Sequence, residues 1–271
     1  MRFGTLLKQL DSSLYQQYTY ESYTEDRPKT FEETVFFPPM RGFEIESSEH
    51  SLSSVAVSLD QCSDDNEAVQ YCLGRKIPRE KFSSLYYIEH AKDISKISPE
   101  KYSTLKSEEP RLAIPFYDEN GRLTGVSMRA LRGESLRYIN VKMFEDAGTM
   151  FGLNTVDLEK DVYVTEGPID SLFLDNAIAV GGTGFAKIEL LDAPKERFIL
   201  IFDNESRNKE VCKVMSRFVD LGYRMCIWPC DVREKDINEM VMNGLDPKLL
   251  VEANTYKGLM VLAKFTEWKH C

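Results

Sequence analysis

From residue 161 onward, apolar stretches of strand length alternate with helical stretches at short intervals, and this rhythm restricts the chain more than any other feature. VYVTE leads to PIDSLFLDN, AIAV to GGTG and a short helix, RFILIFD to KEVCKVMSRFVDLG, and RMCIWP to KDINEMVMNG. In the third helix Val211, Val214, Met215, Phe218 and Val219 fall at i, i+3, i+4, i+7 and i+8, the spacing of one helical face. The strands are almost continuously apolar, as strands covered on both faces must be. Short joints in this order predict an α/β fold, a mostly parallel sheet with flanking helices. PKLLVEANTYKGLMVLAKF predicts a helical C-terminal cover.

The chain before this region reads differently. Residues 1–62 mix Ser, Glu, Tyr and Pro without a sustained period, which predicts a flexible or partner-docking arm. LLKQLDSSLYQQY could form a short helix within it, and Tyr18, Tyr20, Tyr23, Phe36 and Phe37 keep it from being wholly polar. DDNEAVQYCLGRKIP predicts a helix closed by Gly74, with Pro78 just beyond. RLAIPFYDENGRLTGVSMRALRG predicts a hairpin turning at Asp118, Asn120 and Gly121. Its second strand carries Arg129, and SLRYINVK adds Arg137 and Lys142, so this is the basic part of the chain. The expected boundaries are an arm at 1–62, a smaller α+β subdomain at 63–158, the parallel-sheet domain at 159–245 and a helical segment at 246–271.

Composition removes several classes. No run of about 18 apolar residues is present, so no membrane-spanning helix is expected. MRFGTLLKQL lacks the apolar core and cleavage site of a signal peptide. The six cysteines form no CxxC pair, so neither a zinc ribbon nor a disulfide framework is indicated, and a reduced, cytoplasmic protein is expected. A net charge of −10 argues against a surface that grips duplex DNA everywhere, yet leaves room for a local basic groove.

In an open α/β sheet, ligands gather beyond the carboxyl ends of the strands. Acids stand at three such ends: Glu166 after VYVT, Asp203 and Glu205 after ILIF, and Asp236 after MCIWP. Converging carboxylates repel one another and invite a cation, and hard oxygen ligands suit Mg²⁺ or Mn²⁺. Each element also has a plainer meaning. Glu166-Gly167-Pro168 could be a turn with Pro in the first helical turn. Asp170 could be an acid favoured by a helix dipole, Asp203-Asn204 a turn, and Asp236 to Glu239 a capping box. GGTG at 181–184 could nest a phosphate, and Arg129 and Arg137 could be solvated surface charges.

Taken in order, EGPID, FDNE and KDINE resemble the toprim domain of bacterial-type primases and topoisomerases. The third motif is similar to that of phage primases and primase-helicases. EEPRLAIPFYDENGRLTGVSMRAL resembles the strand pair leading into the primase core. LRYINVKMF, followed by MFGLNTV, resembles its segment of basic catalytic residues. The set is most similar to T-even phage-type primases, over roughly residues 66–265. The resemblance implies that the parallel sheet is a toprim domain preceded by a primase-core subdomain. It also implies that Glu166, Asp203 and Asp236 are catalytic, that these three with Glu205 bind Mg²⁺ or Mn²⁺, and that Gly167 and Asp170 support the first turn. Arg129, Arg137, Asn140 and Lys142 would contact nucleotide or template. The chain departs from the family in having Glu205 for the second aspartate of its pair, and in lacking the Cys/His spacing of the family's N-terminal zinc module.

The implied function is the catalytic subunit of a primase. It would make short RNA primers on single-stranded DNA from ribonucleoside triphosphates, beside a hexameric replicative helicase and in the host cytoplasm if phage-encoded. No zinc site is expected in this chain, and a separate zinc-binding module would be supplied as a partner. The rivals are a toprim phosphodiesterase or nuclease using the same acids, and a non-catalytic adaptor that binds helicase.

Overall fold

The computed structural model describes residues 51–270 apart from 146, 182 and 183, with the side chain of Lys101 also left out. It holds two five-stranded sheets. The first runs in the order β1-β2-β3-β4-β5 and is antiparallel throughout. Its strands are β1 (Val57–Ser58), β2 (Tyr86–Ile88), β3 (Arg111–Tyr117), β4 (Leu123–Ala130) and β5 (Tyr138–Lys142). The expected hairpin is β3–β4. Its turn closes because Asp118 Oδ1 accepts from the amides of Asn120 and Arg122, while Gly121 takes a φ of 77° that a side chain would oppose. Helix α1 (Glu67–Gly74) is capped by Asn66, whose side chain accepts from the Ala68 amide.

The flexible arm does not reach residue 62. Leu52, Ala56 and Leu59 are buried, and β1 is the edge strand of the first sheet. Serines between these apolar residues conceal their period in LSSVAVSLD. The rest of the expected arm, residues 1–50, lies outside the described residues.

The second sheet has the order β10-β9-β8-β6-β7. Strands β6 (Val162–Thr165), β7 (Ala177–Ala179), β8 (Phe198–Ile201) and β9 (Arg224–Cys226) are parallel, as expected. All four residues of β8 are buried, and because successive side chains face opposite ways, both faces of the sheet are covered there. Helix α2 (Pro168–Ser171) follows β6, and α3 (Lys209–Asp220) follows β8 with Asn208 as its cap. Val211, Met215 and Phe218 of α3 are buried in the sheet's core. Helix α4 (Ile237–Met242) follows the loop after β9.

The C-terminal cover is not wholly helical. Between α5 (Pro247–Ala253) and α6 (Leu259–Trp268), residues Thr255–Tyr256 form β10, antiparallel to β9. Two residues with strand preference pair with an otherwise open edge, and Gly258, at φ 59°, turns the chain out of it. The cysteine expectation also needs correcting. Cys62, Cys72, Cys212 and Cys226 are free thiols, but Cys230 is disulfide-bonded. Spacing along the sequence does not report that.

No described helix is long and apolar enough to cross a membrane.

Candidate active site

The parallel strands end flush. Thr165 is in register with Ala179 on one side and Ile201 on the other, and Ile201 with Cys226. The next residues of each chain therefore emerge along one edge. Glu166, Asp170, Asp203 and Asp236 line one small pocket there, floored by Thr165, Ile201 and Trp228. The amide of Asp203 donates to Glu166 Oε1 at 3.4 Å, so the first two strand ends are tied directly.

Each loop is built for its position. Gly167 leaves room for Asp170: a Cβ there would stand 2.7 Å from Asp170 Oδ2, and the carboxyl would have to shift. Asp170 Oδ1 accepts from the backbone amide of Asn238 at 3.0 Å, so it reaches from α2 to α4. Asn204, between the two acids of the second motif, is a staple. Its Nδ2 donates to the carbonyls of Val232 and Glu234, its backbone amide to that of Lys235, and its Oδ1 accepts from the indole of Trp268. Asp236 caps α4 by accepting from the Glu239 amide at 2.8 Å while also lining the pocket, so the plain and the chemical meanings coexist. Glu239 completes no reciprocal box with Asp236, since its carboxylate accepts from the amide of Lys235.

Glu205 stands apart from the other acids. It does not line the pocket and is paired with Lys235 at 3.1 Å. Lys235 also lies 3.7 Å from Asp203.

The electrostatics follow from crowding. Burial, then the charges of Glu166, Asp170 and Asp236, push the Asp203 carboxyl up to about 8, with Lys235 opposing. Burial and then Asp236 push Asp170 up to about 7. Burial raises Glu166, and Glu205 adds to it. These acids cannot all be ionised near neutrality without a cation among them. Among the described residues no three acid, His or Cys side chains form a ready-made metal cage. Mg²⁺ needs none, since it is commonly held by one or two carboxylates and keeps several waters. Glu166, Asp203 and Asp236 are the groups that could hold it.

The basic residues belong to the other sheet. In the β4–β5 pairing, Arg129 lies opposite Tyr138, Ser127 opposite Asn140, and Gly125 opposite Lys142, so these side chains share a face. Arg129 is buried, hydrogen-bonded to the Tyr138 hydroxyl and flanked by the rings of Tyr71 and Tyr138, 5.4 and 5.0 Å from its guanidinium carbon. Among the described residues its Nε has no acceptor. Asn140 and Arg137 are exposed, Arg137 within 5.8 Å of the Tyr138 ring, and Lys142 is half-buried.

Sequence reasoning passed over several groups. Arg75 sits 5.0 Å from the Tyr71 ring and bonds Asn238, which connects the basic face to the acidic edge. Lys187 follows β7 and donates to Thr149 Oγ1 and the Val180 carbonyl. Burial and the neighbouring Lys142 lower its pKa. The phosphate-nest reading of 181–184 falls on Gly182 and Thr183, outside the described residues. Lys235 stood inside the third motif, but Arg75 and Lys187 belong to no local pattern.

No family model matches the chain. The DNA primase of Enterobacteria phage T4 is 32% identical to it over 274 residues, covering 98% of this chain and 78% of that protein. Solved structures of primases share the fold. The Escherichia coli primase catalytic core matches with a TM-score of 0.58 at 14% identity, covering 79% of this chain and 81% of that one. The zinc-binding and RNA polymerase domains of the Aquifex aeolicus primase match with a TM-score of 0.56 at 20% identity, covering 74% of this chain and 58% of that one.

Proposed function

The chain belongs to the DNA primase family, and on that premise we propose that it makes short RNA primers on single-stranded DNA, from ribonucleoside triphosphates, during phage DNA replication. Membership makes it a nucleotidyltransferase, a DNA-directed RNA polymerase of the primase type. The observation that carries the finer reading is the meeting of Glu166, Asp170, Asp203 and Asp236 in one pocket beyond the ends of a parallel sheet.

In this reading Glu166, Asp203 and Asp236 hold Mg²⁺ or Mn²⁺, with Glu205 beside them. The ion supplies charge stabilisation to the attacking and leaving oxygens of an in-line displacement. The chain's own groups do the rest. Glu166, raised by burial and anchored by the Asp203 amide, is suited to accept the proton of the primer's 3′-hydroxyl. Asp170 and Gly167 shape the first turn. Arg129, fixed between two tyrosines with a spare buried donor, addresses phosphate or a base, Asn140 and Lys142 extend that face, and Arg137 reaches it from just before β5, within 5.8 Å of the Tyr138 ring. At a net charge of −10 the chain holds DNA weakly alone, so a hexameric helicase would recruit it, and a separate zinc-binding module would help choose the start site. The host cytoplasm is the corresponding location.

The test is a priming assay with single-stranded DNA, labelled ribonucleotides and Mg²⁺ or Mn²⁺, with and without cognate helicase. Short RNA products absent in Glu166→Gln support the proposal. Degraded DNA instead would identify a nuclease, and no product with helicase binding intact would identify an adaptor.

A further inference from the structure

The turn that ends α1 grips α4 at both of its ends. At the first end, Arg75 Nη1 donates to Asn238 Oδ1 while Asn238 Nδ2 donates back to the Arg75 carbonyl at 2.9 Å. Asn238 is 3% exposed and Arg75 half-buried, so this reciprocal pair between residues 163 apart is closed to water on the Asn238 side. The backbone amide of the same Asn238 holds Asp170. At the other end, Lys76 Nζ donates to the carbonyls of Val241 and Met242, each at 3.1 Å. Those are last-turn carbonyls; that of Val241 also accepts from the Gly244 amide at 3.1 Å.

The backbone of this turn is costly. The Lys76 amide bonds the Leu73 carbonyl and the Ile77 amide bonds that of Cys72, which is a Schellman ending with Lys76 at the left-handed position. Lys76 has a φ of 57° where glycine is the ordinary occupant. Glycine there would relieve the backbone, but it would carry no amine to α4. A strained residue whose side chain makes a contact 165 residues away points to a purpose beyond ending a helix.

We propose that Arg75 and Lys76 are positioning residues for the acid pocket: by clasping α4 at both ends they set where Asp236 and Asp170 stand relative to Glu166 and Asp203. The clasp also carries the register between the two sheets, because Arg75 lies 5.0 Å from the ring of Tyr71, which in turn flanks Arg129. The inference rests on the reading of the pocket as a divalent-cation site.

Two variants of the full chain test it. Arg75→Met keeps the aliphatic stem against Tyr71 and removes the donors. Lys76→Gly keeps the turn, removes its strain and removes the amine. Mn²⁺ binding by titration calorimetry is expected to weaken about tenfold in Arg75→Met and about threefold in Lys76→Gly. Priming turnover should fall in step, with the KM for template and single-stranded DNA affinity by fluorescence anisotropy unchanged. The unfolding temperature of Lys76→Gly should not drop, which separates positioning from general destabilisation. If Arg75→Met does not fold, Lys76→Gly decides alone. Unchanged Mn²⁺ affinity in the folded variants, or a wild-type chain that binds no Mn²⁺, overturns the proposal. Weakened Mn²⁺ binding in the variants of a wild type that makes no primer leaves the clasp standing and overturns the priming reading instead.

Discussion

The two sheets carry their candidate functional groups in opposite ways. In the parallel sheet the strands are consumed by the core, and the acids sit in the loops just past their ends. In the antiparallel sheet the basic and polar groups sit on the strands themselves, along one face of β4 and β5. A strand covered on both faces has only its end left for chemistry; β3 and β4 are as buried as β8, and it is β5, with Tyr138 and Asn140 exposed, that offers a side. Side chains past strand ends are fixed by loop bonds such as those of Asn204. Those on a strand face are fixed by the neighbours on that face, as Arg129 is by Tyr71 and Tyr138.

This contrast predicts an unequal response to substitution. Glu166→Gln should cost most, on the order of a thousandfold in priming turnover, because it removes the proton acceptor and one oxygen ligand together. Gel-resolved primer synthesis beside an unchanged circular dichroism spectrum measures it. Arg129→Ala should raise the KM for nucleotide roughly ten- to a hundredfold and lower turnover less. If turnover falls as far as in the Glu166 variant, the division between chemistry at the edge and binding on the face is broken.

The acidic edge should also show itself in stability. Asp203 and Asp170 titrate higher in the folded chain, about 8 and about 7, than their ordinary value near 4. The native state therefore binds more protons than the unfolded chain over that interval. The contribution of these two groups is complete below about pH 4 and is lost as pH rises through 7 to 8. Urea unfolding in chelator should show their part of the stability falling by on the order of 3–5 kcal/mol between pH 5 and pH 8, with the share of Asp203 discounted for its partial exposure. Asp203→Asn should flatten the slope, and saturating Mg²⁺ should reduce it. A slope that ignores both would remove the crowding of acids as its cause. The smallest effect is expected for Asn140→Ala, within about threefold in nucleotide KM, since the side chain is exposed.

Much of the parallel sheet could be read in advance because its strands are apolar blocks and its acids follow them at once, as Glu166 follows Thr165. The pooling of Glu166 and Asp203 follows from strand register, while Asp236, ten residues past β9, is brought to them by the loop that Asn204 holds. What could not be read depends on distant partners. β10 exists because β9 offers an edge, β1 because β2 does, and the pairing of Arg75 with Asn238 has no local trace. Glu205 follows Asp203 closely in the motif, yet it does not line the pocket, and Lys235 lies against both. Asp170 moved the other way, from an acid that a helix dipole could explain to one lining the pocket and fastened to α4.

The staple at Asn204 has a consequence in the order of synthesis. Its side-chain oxygen is held by the indole of Trp268, 64 residues later in the chain. A ribosome therefore releases Glu166, Asp203 and Asp236, and the partners of three of the four bonds that hold Asn204, before the residue that makes the fourth. The loop between the acids is complete in outline before one of the last side chains described closes its final bond.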